Sequence, residues 1–297
     1  MQSTKGTDSS KAPSAKAPES LDQYLKFVSL LKPIDANILD ALQNEVLNPD
    51  IDWHEPYSEY ASPGLQVAVL LSPDGEENNF SWKDCKAPKE TPLLARLTNL
   101  KALLAGLGFN IMASRLLKLQ PGTYLHEHRD YVFLEEVPRF RLHVPIVTNP
   151  AAHIVMPGTT VHMSRGYLWK LNPKEAVHSA CNFGQEARIH LMMDCYVNDT
   201  LAELVAAESL PSDNLKKLPV LTAEDKARVL KEGRSLVEAG KQTEAEDVIL
   251  RQFCYFDLNG ETTYQLLYEL YGGVTGCEER LEYWRTRAQD VYPVVKH

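Results

Sequence analysis

Apolar residues recur at three- and four-residue intervals in "LDQYLKFVSLLK" (21–32) and "DANILDALQNEVL" (35–47), which predicts two helices, the second with Asp35 as its N-cap. "LQVAVLLS" (65–72) is a nearly continuous apolar run closed by the turn "PDG", the pattern of a buried strand. "TPLLARLTNLKALLAGLG" (91–108) predicts one helix, with Pro92 in its first turn and glycine at its end. From residue 111 the period shortens. "IMASRLLKL" runs into a "PG" turn at 121–122, and further strand-like runs follow: "FRLHVPIV" (140–147), "HIVMPG" (153–158), "VHMS" (161–164), "GYLWKLN" (166–172) and "ARIHLMMDCYV" (187–197). Many short strands separated by Gly, Pro and Asn predict a sandwich or jelly roll.

After about residue 200 the strand pattern stops. "TAEDKARVLKEGRSLVEAGK" opens at Thr222 with T-x-x-D, close to a capping box, and "TEAEDVILRQFCYF", "TTYQLLYELYG" and "CEERLEYWRTRAQDVY" also have helical spacing. The first 20 residues are rich in Ser, Ala, Lys and Pro with no large apolar residue after Met1, the composition of a disordered tail. The expected organisation is therefore a tail over 1–20, a strand-rich domain with N-terminal helices over 21–200, and a helical region over 201–297.

Composition narrows the partners. A formal charge of −9, from 31 basic and 40 acidic residues, argues against a nucleic-acid surface. No apolar run approaches the length of a membrane span. Five cysteines, odd in number, widely spaced and without a CxxC pair, point to a reduced, cytoplasmic protein and away from a structural zinc finger.

The chemistry concentrates in "YLHEHRD" (124–130), where His126, His128 and Asp130 alternate and an extended strand would turn all three to one side. Two histidines and one carboxylate on one face of a metal form the ligand set of Fe(II) oxygenases, with the other positions left for co-substrate and oxygen. "HRD" offers His128 and Asp130, and His178 in "EAVHSACN" is a distal candidate. Arg188 follows ten residues later, and a planar guanidinium suits a carboxylate anchor.

On these pieces the stretch from about 111 to 197 resembles the aspartyl/asparaginyl β-hydroxylase family of Fe(II)/2-oxoglutarate dioxygenases. It looks most like the branch that hydroxylates free amino acids, typified by L-proline cis-4-hydroxylase. The matching motifs are "HEHRDY", "FRLHVPIVTN", "HMSRGYLWKLN" and "VHSACNFGQEARIHLMMD", with a weaker likeness at "PYSEYASPG" (56–64). The resemblance implies a mainly β fold with α, a double-stranded β-helix (jelly roll, cupin-like) with flanking N-terminal helices and the C-terminal helical region. It implies that His128, Asp130 and His178 bind Fe(II) and that Arg188 holds the side-chain carboxylate of 2-oxoglutarate. Arg141 and His143 fall where the family places further co-substrate contacts, and O₂ is the second co-substrate. Protein-modifying animal members of the family lack the carboxylate ligand. The chain keeps Asp130, which favours a small-molecule substrate.

His126 is then left for the substrate-pocket wall or a supporting role. Arg115, in "SRLLKL", is either a cation for a substrate carboxylate or a solvent-facing residue. Tyr57 and Tyr60, in "PYSEYASPG", either contact a small amphiphilic substrate from a lid loop or pack in a surface turn. Trp169 is read as core, and His153, His162 and His190 match no ligand position. The expected activity is hydroxylation of an unactivated C–H of a free, proline-like amino acid or related small metabolite, with release of succinate and CO₂. The alternatives are hydroxylation of an Asp, Asn or other side chain in a protein or carrier-tethered peptide, and a non-catalytic cupin-like binding protein. The C-terminal helices serve equally well as a barrel cap or a homodimer contact.

Overall fold

The computed structural model describes residues 21–47, 50–272 and 274–291, so the expected tail over 1–20 lies outside the described residues. The chain opens with a single helical turn, α1 (Asp22–Leu25), then strand β1 (Val28–Pro33) and helix α2 (Ala36–Val46). The Asp35 side chain caps α2 as expected, accepting from the Asn37 N–H, and Leu39, Leu42 and Val46 are its buried stripe. The expected helix over 21–32 is a correction. Its apolar residues fit both periods, and pairing of β1 with the later strand Tyr167–Leu171 decides for the strand. Tertiary hydrogen bonding of this kind overrides local propensity.

Strands β2 (Leu65–Ser72) and β3 (Lys89–Glu90) follow, then α3 (Pro92–Arg96) and α4 (Thr98–Gly106). One helix was expected over 91–108. The structure breaks it at Leu97, whose backbone leaves the helical region (φ −92°, ψ 77°), and the Glu45 carboxylate from α2 caps the new start by accepting from the N–H groups of Asn99 at 2.7 Å and Leu100 at 3.0 Å. An acceptor at a helix N-terminus satisfies donors the helix cannot.

The strand-rich stretch forms β4 (Asn110–Leu119), β5 (Arg139–Val147), β6 (Ala152–Met156), β7 (Thr159–Val161), β8 (Tyr167–Leu171), β9 (Ser179–Asn182) and β10 (Arg188–Tyr196). The strand expected over 161–164 ends at its first residue, because β7 is a short hairpin partner of β6 over Thr159–Val161. The seven-stranded sheet runs β1-β8-β5-β10-β4-β2-β3. The four-stranded sheet runs β11-β7-β6-β9, where β11 is Leu215–Lys217 and all pairings in both sheets are antiparallel. Segment 122–128 extends the smaller sheet beside β9 through bonds such as Leu125 N–H to Ala180 O at 2.8 Å. The order β4-β10-β5-β8 facing 122–128-β9-β6-β7, with the chain crossing between sheets, is that of a double-stranded β-helix, as the sequence predicted.

Three packed regions follow from strand alternation. Leu116, Leu142, Val144 and Leu191 point outward from the larger sheet and pack with α2, α3 and α4. Leu119, Trp169, Leu171, Ile154, Met156 and Ala180 fill the closed end of the barrel, and Trp169 is core, its Nε1–H donating to Ser164 O at 3.0 Å. On the outer face of the smaller sheet, Tyr124, Val155 and Cys181 pack against the C-terminal helices.

Those helices are α5 (Asp199–Ala206), α6 (Ala223–Glu238), α7 (Gln242–Leu250), α8 (Thr263–Tyr271) and α9 (Glu278–Val291). Strand β11 falls in the stretch where no strand was expected, and it is held by pairing with β7 and not by its own polar sequence. Thr222 caps α6, and Thr262 with Gln265 forms a capping box on α8. Glu246 joins α7 to α8 and α9, accepting from the Tyr271 hydroxyl at 2.6 Å, Arg280 Nε at 2.8 Å and Trp284 Nε1 at 2.8 Å. No helix among the described residues is long and apolar enough to cross a membrane.

Candidate metal centre

His128 and His178 face each other across the segment 122–128 and the start of β9. Each backbone N–H donates to the other's carbonyl at 2.9 Å, and the two rings stand 4.4 Å apart. Asp130 completes the set. Its Oδ2 lies 3.9 Å from His128 Nε2 and 3.6 Å from His178 Nε2, and one ligand atom from each residue lies within 4.8 Å of the others. His128 Nδ1 bonds to the His126 carbonyl at 2.7 Å and His178 Nδ1 to the Ala176 carbonyl at 3.0 Å. A carbonyl only accepts, so both Nδ1 atoms carry the proton and both Nε2 lone pairs face the gap. Fixing the ring and tautomer in this way is how outer hydrogen bonds prepare histidine for a metal.

Electrostatics keeps His178 neutral and Asp130 ionised. Burial, then the neighbouring His128, lowers His178 to about 3. For Asp130 burial acts upward, but the Arg141 guanidinium and the two histidines outweigh it and hold the carboxyl at about 2. Arg141 reaches both Asp130 and the fully buried Asp194, the latter at 2.8 Å from Nε, and the Tyr131 hydroxyl donates to Asp194 as well. Tyr131 adopts a left-handed backbone (φ 65°), a conformation that costs a non-glycine residue about 1–3 kcal/mol. Its buried ring and hydroxyl hold it there. The structure thus places Arg141 on the ligand carboxylate itself.

Arg188, His190, Met192 and Asp194 are alternate residues of β10, so they share one face. Opposite them on β5 stand Arg141, paired with Asp194, and His143, paired with Met192. Arg188 is 4% exposed and makes no ion pair among the described residues. Its Nη2 donates to His190 Nδ1 at 2.8 Å, so the His190 proton sits on Nε2, which is buried and without a partner. Both ring nitrogens of buried His143 are also without partners. The result is a buried guanidinium beside two imidazole edges whose hydrogen-bonding positions are unfilled among the described residues. Burial lowers Arg188 to about 9. Burial, then Arg188, drives His190 and His143 well below the usual histidine range; Arg141 and His178 add to this at His143, which so lies between the ligand set and Arg188. Sequence reasoning passed over His190, yet R-x-H on a strand already placed it beside Arg188. Asp194 was legible in the same way, four residues further on.

His126 stands outside the ligand set of His128, Asp130 and His178. The chain bends at Glu127, and the His126 ring packs 6.0 Å from Trp284 of α9, lining one cavity with Tyr124 and Trp284 and a second with His128, Arg129 and Tyr60. Its carbonyl still orients His128. Arg115 is 1% exposed, which excludes the solvent-facing alternative. It donates to the Tyr57 hydroxyl and to Ser81 O, and its guanidinium lies 3.7 Å from the Trp82 ring centre. Tyr57 and Trp82, and not Arg115 itself, line the cavity beside the ligand set.

That cavity is about 250 Å³, with Asp130, His128, Arg141 and Met192 at its base and Tyr57, Tyr60, Trp82 and Phe133 among its walls. Tyr57 and Tyr60 therefore both reach it. Their loop is seated tightly on the metal segment: Gly64 has φ +101°, and a side chain there would come within 2.4 Å of Thr123 Oγ1. Phe133 is 88% exposed at the rim. Arg129 also lines the cavity; its Nε is buried without a partner, and Nη1 donates to Lys174 O at 3.3 Å.

Residues 68–197, a little under half the chain, match the family model described as aspartyl/asparaginyl β-hydroxylase, and every candidate ligand lies inside that span. No curated protein matches the chain. Among solved structures it is similar to an oxidoreductase of the 2OG-Fe(II) oxygenase family from Burkholderia pseudomallei (12% identity, 61% of this chain and 91% of that one, TM-score 0.40). It is also similar to HygX from Streptomyces hygroscopicus, solved with nickel and 2-oxoglutarate (12% identity, 62% and 89%, TM-score 0.39), and to a Pseudomonas putida prolyl-4-hydroxylase (14% identity, 60% and 96%, TM-score 0.39). The matched segment, with its candidate ligand set, is thus similar to an oxygenase-type hydroxylase.

A pH prediction follows from the buried rings. Unfolding lets His126 (held to about 4 by burial, then by His128 and Arg287), His178, His143 and His190 take up protons below the ordinary histidine pKa. The folded form of the metal-free protein does not, so its stability is fully present above about pH 6.5 and is lost as pH falls towards 4. Each such ring contributes a slope of about 1.4 kcal/mol per pH unit in that window. Melting curves of the metal-free protein from pH 7.5 to 4.5 are expected to show a steep drop starting near 6.5, and a flat profile would contradict neutral burial of these rings.

Proposed function

We propose that the protein is an Fe(II)/2-oxoglutarate-dependent dioxygenase that hydroxylates an unactivated C–H of a free amino acid or a related small metabolite. The residues fit the implied groups. Two imidazoles with pre-set tautomers and an ionised carboxylate suit Fe(II). The Arg188–His190–His143 cluster leaves N–H donors unpartnered among the described residues, and a carboxylate of 2-oxoglutarate would accept from them. This cluster is the observation that carries the reading. A buried cation with unfilled donors is expensive unless a ligand completes it. It also argues against a non-catalytic cupin.

When bound, iron with 2-oxoglutarate and O₂ supplies the oxidising chemistry. The chain's own residues do the rest. His128, Asp130 and His178 hold the metal, and Arg141, braced by Asp194, keeps Asp130 ionised and aimed. Arg188 anchors the far end of the co-substrate. Tyr57 and Trp82 wall the cavity beside the ligand set, with Phe133 at its open rim. Arg129, a cavity cation with no ion pair among the described residues, is placed to meet a substrate carboxylate, while Arg115 steadies Tyr57 and Trp82 from behind. A cavity of about 250 Å³ suits an amino acid better than an extended polypeptide, which favours the small-molecule reading.

The test is succinate release, followed by mass spectrometry, from protein with Fe(II), 2-oxoglutarate and O₂ across a panel of free amino acids and short peptides, proline and its homologues first. Substrate-dependent succinate with a product heavier by one oxygen is expected for a free amino acid, with Arg129→Ala raising the KM for that substrate far more than for 2-oxoglutarate. Turnover of peptides alone would overturn the small-molecule reading.

A further inference from the structure

The C-terminal helices touch the metal segment at its most sensitive place. Glu127 sits between His126 and His128, and it is almost fully buried. Its side chain points away from the barrel interior. The carboxylate Oε1 accepts from the backbone N–H of Thr263 at 2.8 Å and from the Thr263 hydroxyl at 2.6 Å, at the first turn of α8. The next residue of that turn, Tyr264, donates its hydroxyl to the Glu127 carbonyl at 2.7 Å. A third tie lies upstream, where the Tyr124 hydroxyl donates to Asp247 Oδ1 of α7 at 2.6 Å. Within the segment the backbone bends at Glu127, whose side chain turns towards α8 while His128 turns towards His178.

We propose that Glu127 is a positioning residue for the metal centre. The N-terminus of α8 captures its carboxylate and so fixes the backbone bend that aims His128, with Asp130 two residues further on, at the gap facing His178. The physical reasons are two. A helix N-terminus presents unpaired N–H groups and a partial positive charge, so it grips a carboxylate. A buried carboxylate is costly without such partners, so the bend has one low-energy arrangement and not several. The helical region over 201–297 thereby takes part in metal binding without supplying a ligand. Sequence reading left open whether these helices cap the barrel or form a dimer contact; the Glu127 tie supports the cap.

The inference rests on the metal-centre reading, and the test separates the two. Binding of Mn(II) or Co(II) alone to the full chain is measured by calorimetry for wild type, Glu127→Ala, Glu127→Gln and Thr263→Val, with a melting curve of each metal-free protein. Outer-sphere changes of this kind cost roughly 10- to 100-fold in metal affinity. Glu127→Ala is expected to bind at least about tenfold more weakly. Glu127→Gln keeps an amide oxygen that still accepts from Thr263, and is expected to recover most of the affinity. Thr263→Val removes the hydroxyl but not the N–H, and should fall between. Affinity within twofold of wild type in Glu127→Ala, or in Thr263→Val should Glu127→Ala fail to fold, overturns the proposal. A wild-type protein that binds neither ion overturns the metal centre instead.

Discussion

Replacing His178 by alanine is expected to eliminate substrate-dependent succinate release and to reduce Mn(II) or Co(II) binding by more than the roughly 10- to 100-fold that outer-sphere changes cost. The reason is arithmetic. The chain offers three ligand atoms in this gap, and a facial set has no spare protein ligand. His128→Ala should match it. The two backbones pair through reciprocal hydrogen bonds that do not involve the side chains, so the sheet itself has no reason to open. The His178 variant should also melt less acid-sensitively when metal-free, because it removes a buried ring that resists protonation in the folded protein. Full activity in either variant, measured with wild-type protein alongside, would show that the chemistry lies elsewhere.

The second large effect is on co-substrate binding. Arg188→Met keeps length and burial while removing the cation. The apparent 2-oxoglutarate requirement should rise on the order of 100-fold, the effect of removing about 2.7 kcal/mol, within the range for truncating one partner of a buried charged pair. Turnover at saturating 2-oxoglutarate should fall much less, since the group acts at the far end of the co-substrate. Arg188→Lys is not a rescue: an ammonium cannot reproduce two parallel N–H bonds. Titration of 2-oxoglutarate by succinate release separates the outcomes, and an unchanged half-saturation would remove Arg188 from its assigned role. Metal affinity serves as the control, because Arg188 bonds to His190 and not to a ligand.

How much of this was legible follows from which interactions are local. Most barrel strands announced themselves because a buried strand has a short period and its breaks carry Gly, Pro or Asn, but β9 (Ser179–Asn182), four residues long, was not expected. The helix caps at Asp35 and Thr222 rest on neighbours two or three residues away, so sequence suffices. Val28–Pro33 was misread because its partner, Tyr167–Leu171, is remote and no local feature separates strand from helix there. The break at Leu97 depends on Glu45 reaching across from α2, which no window of sequence contains. In the site, the pairing of His128 with His178 came from the family resemblance and its spacing. The tie of Glu127 to α8 did not, since its partner Thr263 is 136 positions away. Arg115 shows the same limit: its pattern of apolar neighbours indicated burial or exposure equally, and only the packing of Trp82 against it decides.

The larger sheet puts its apolar layer and its reactive layer on opposite sides of the same strands, with Leu142 beside Arg141 and His143, and Leu191 between His190 and Met192. A single residue inserted into β5 or β10 would exchange the two layers beyond that point, sending charge into the oil and leucine into the pocket. Such strands can change identity only one alternate position at a time. New substrate ranges in proteins built this way should therefore arise through side-chain changes in the loops over 56–64 and 131–138, which line the cavity, while the strand lengths stay frozen.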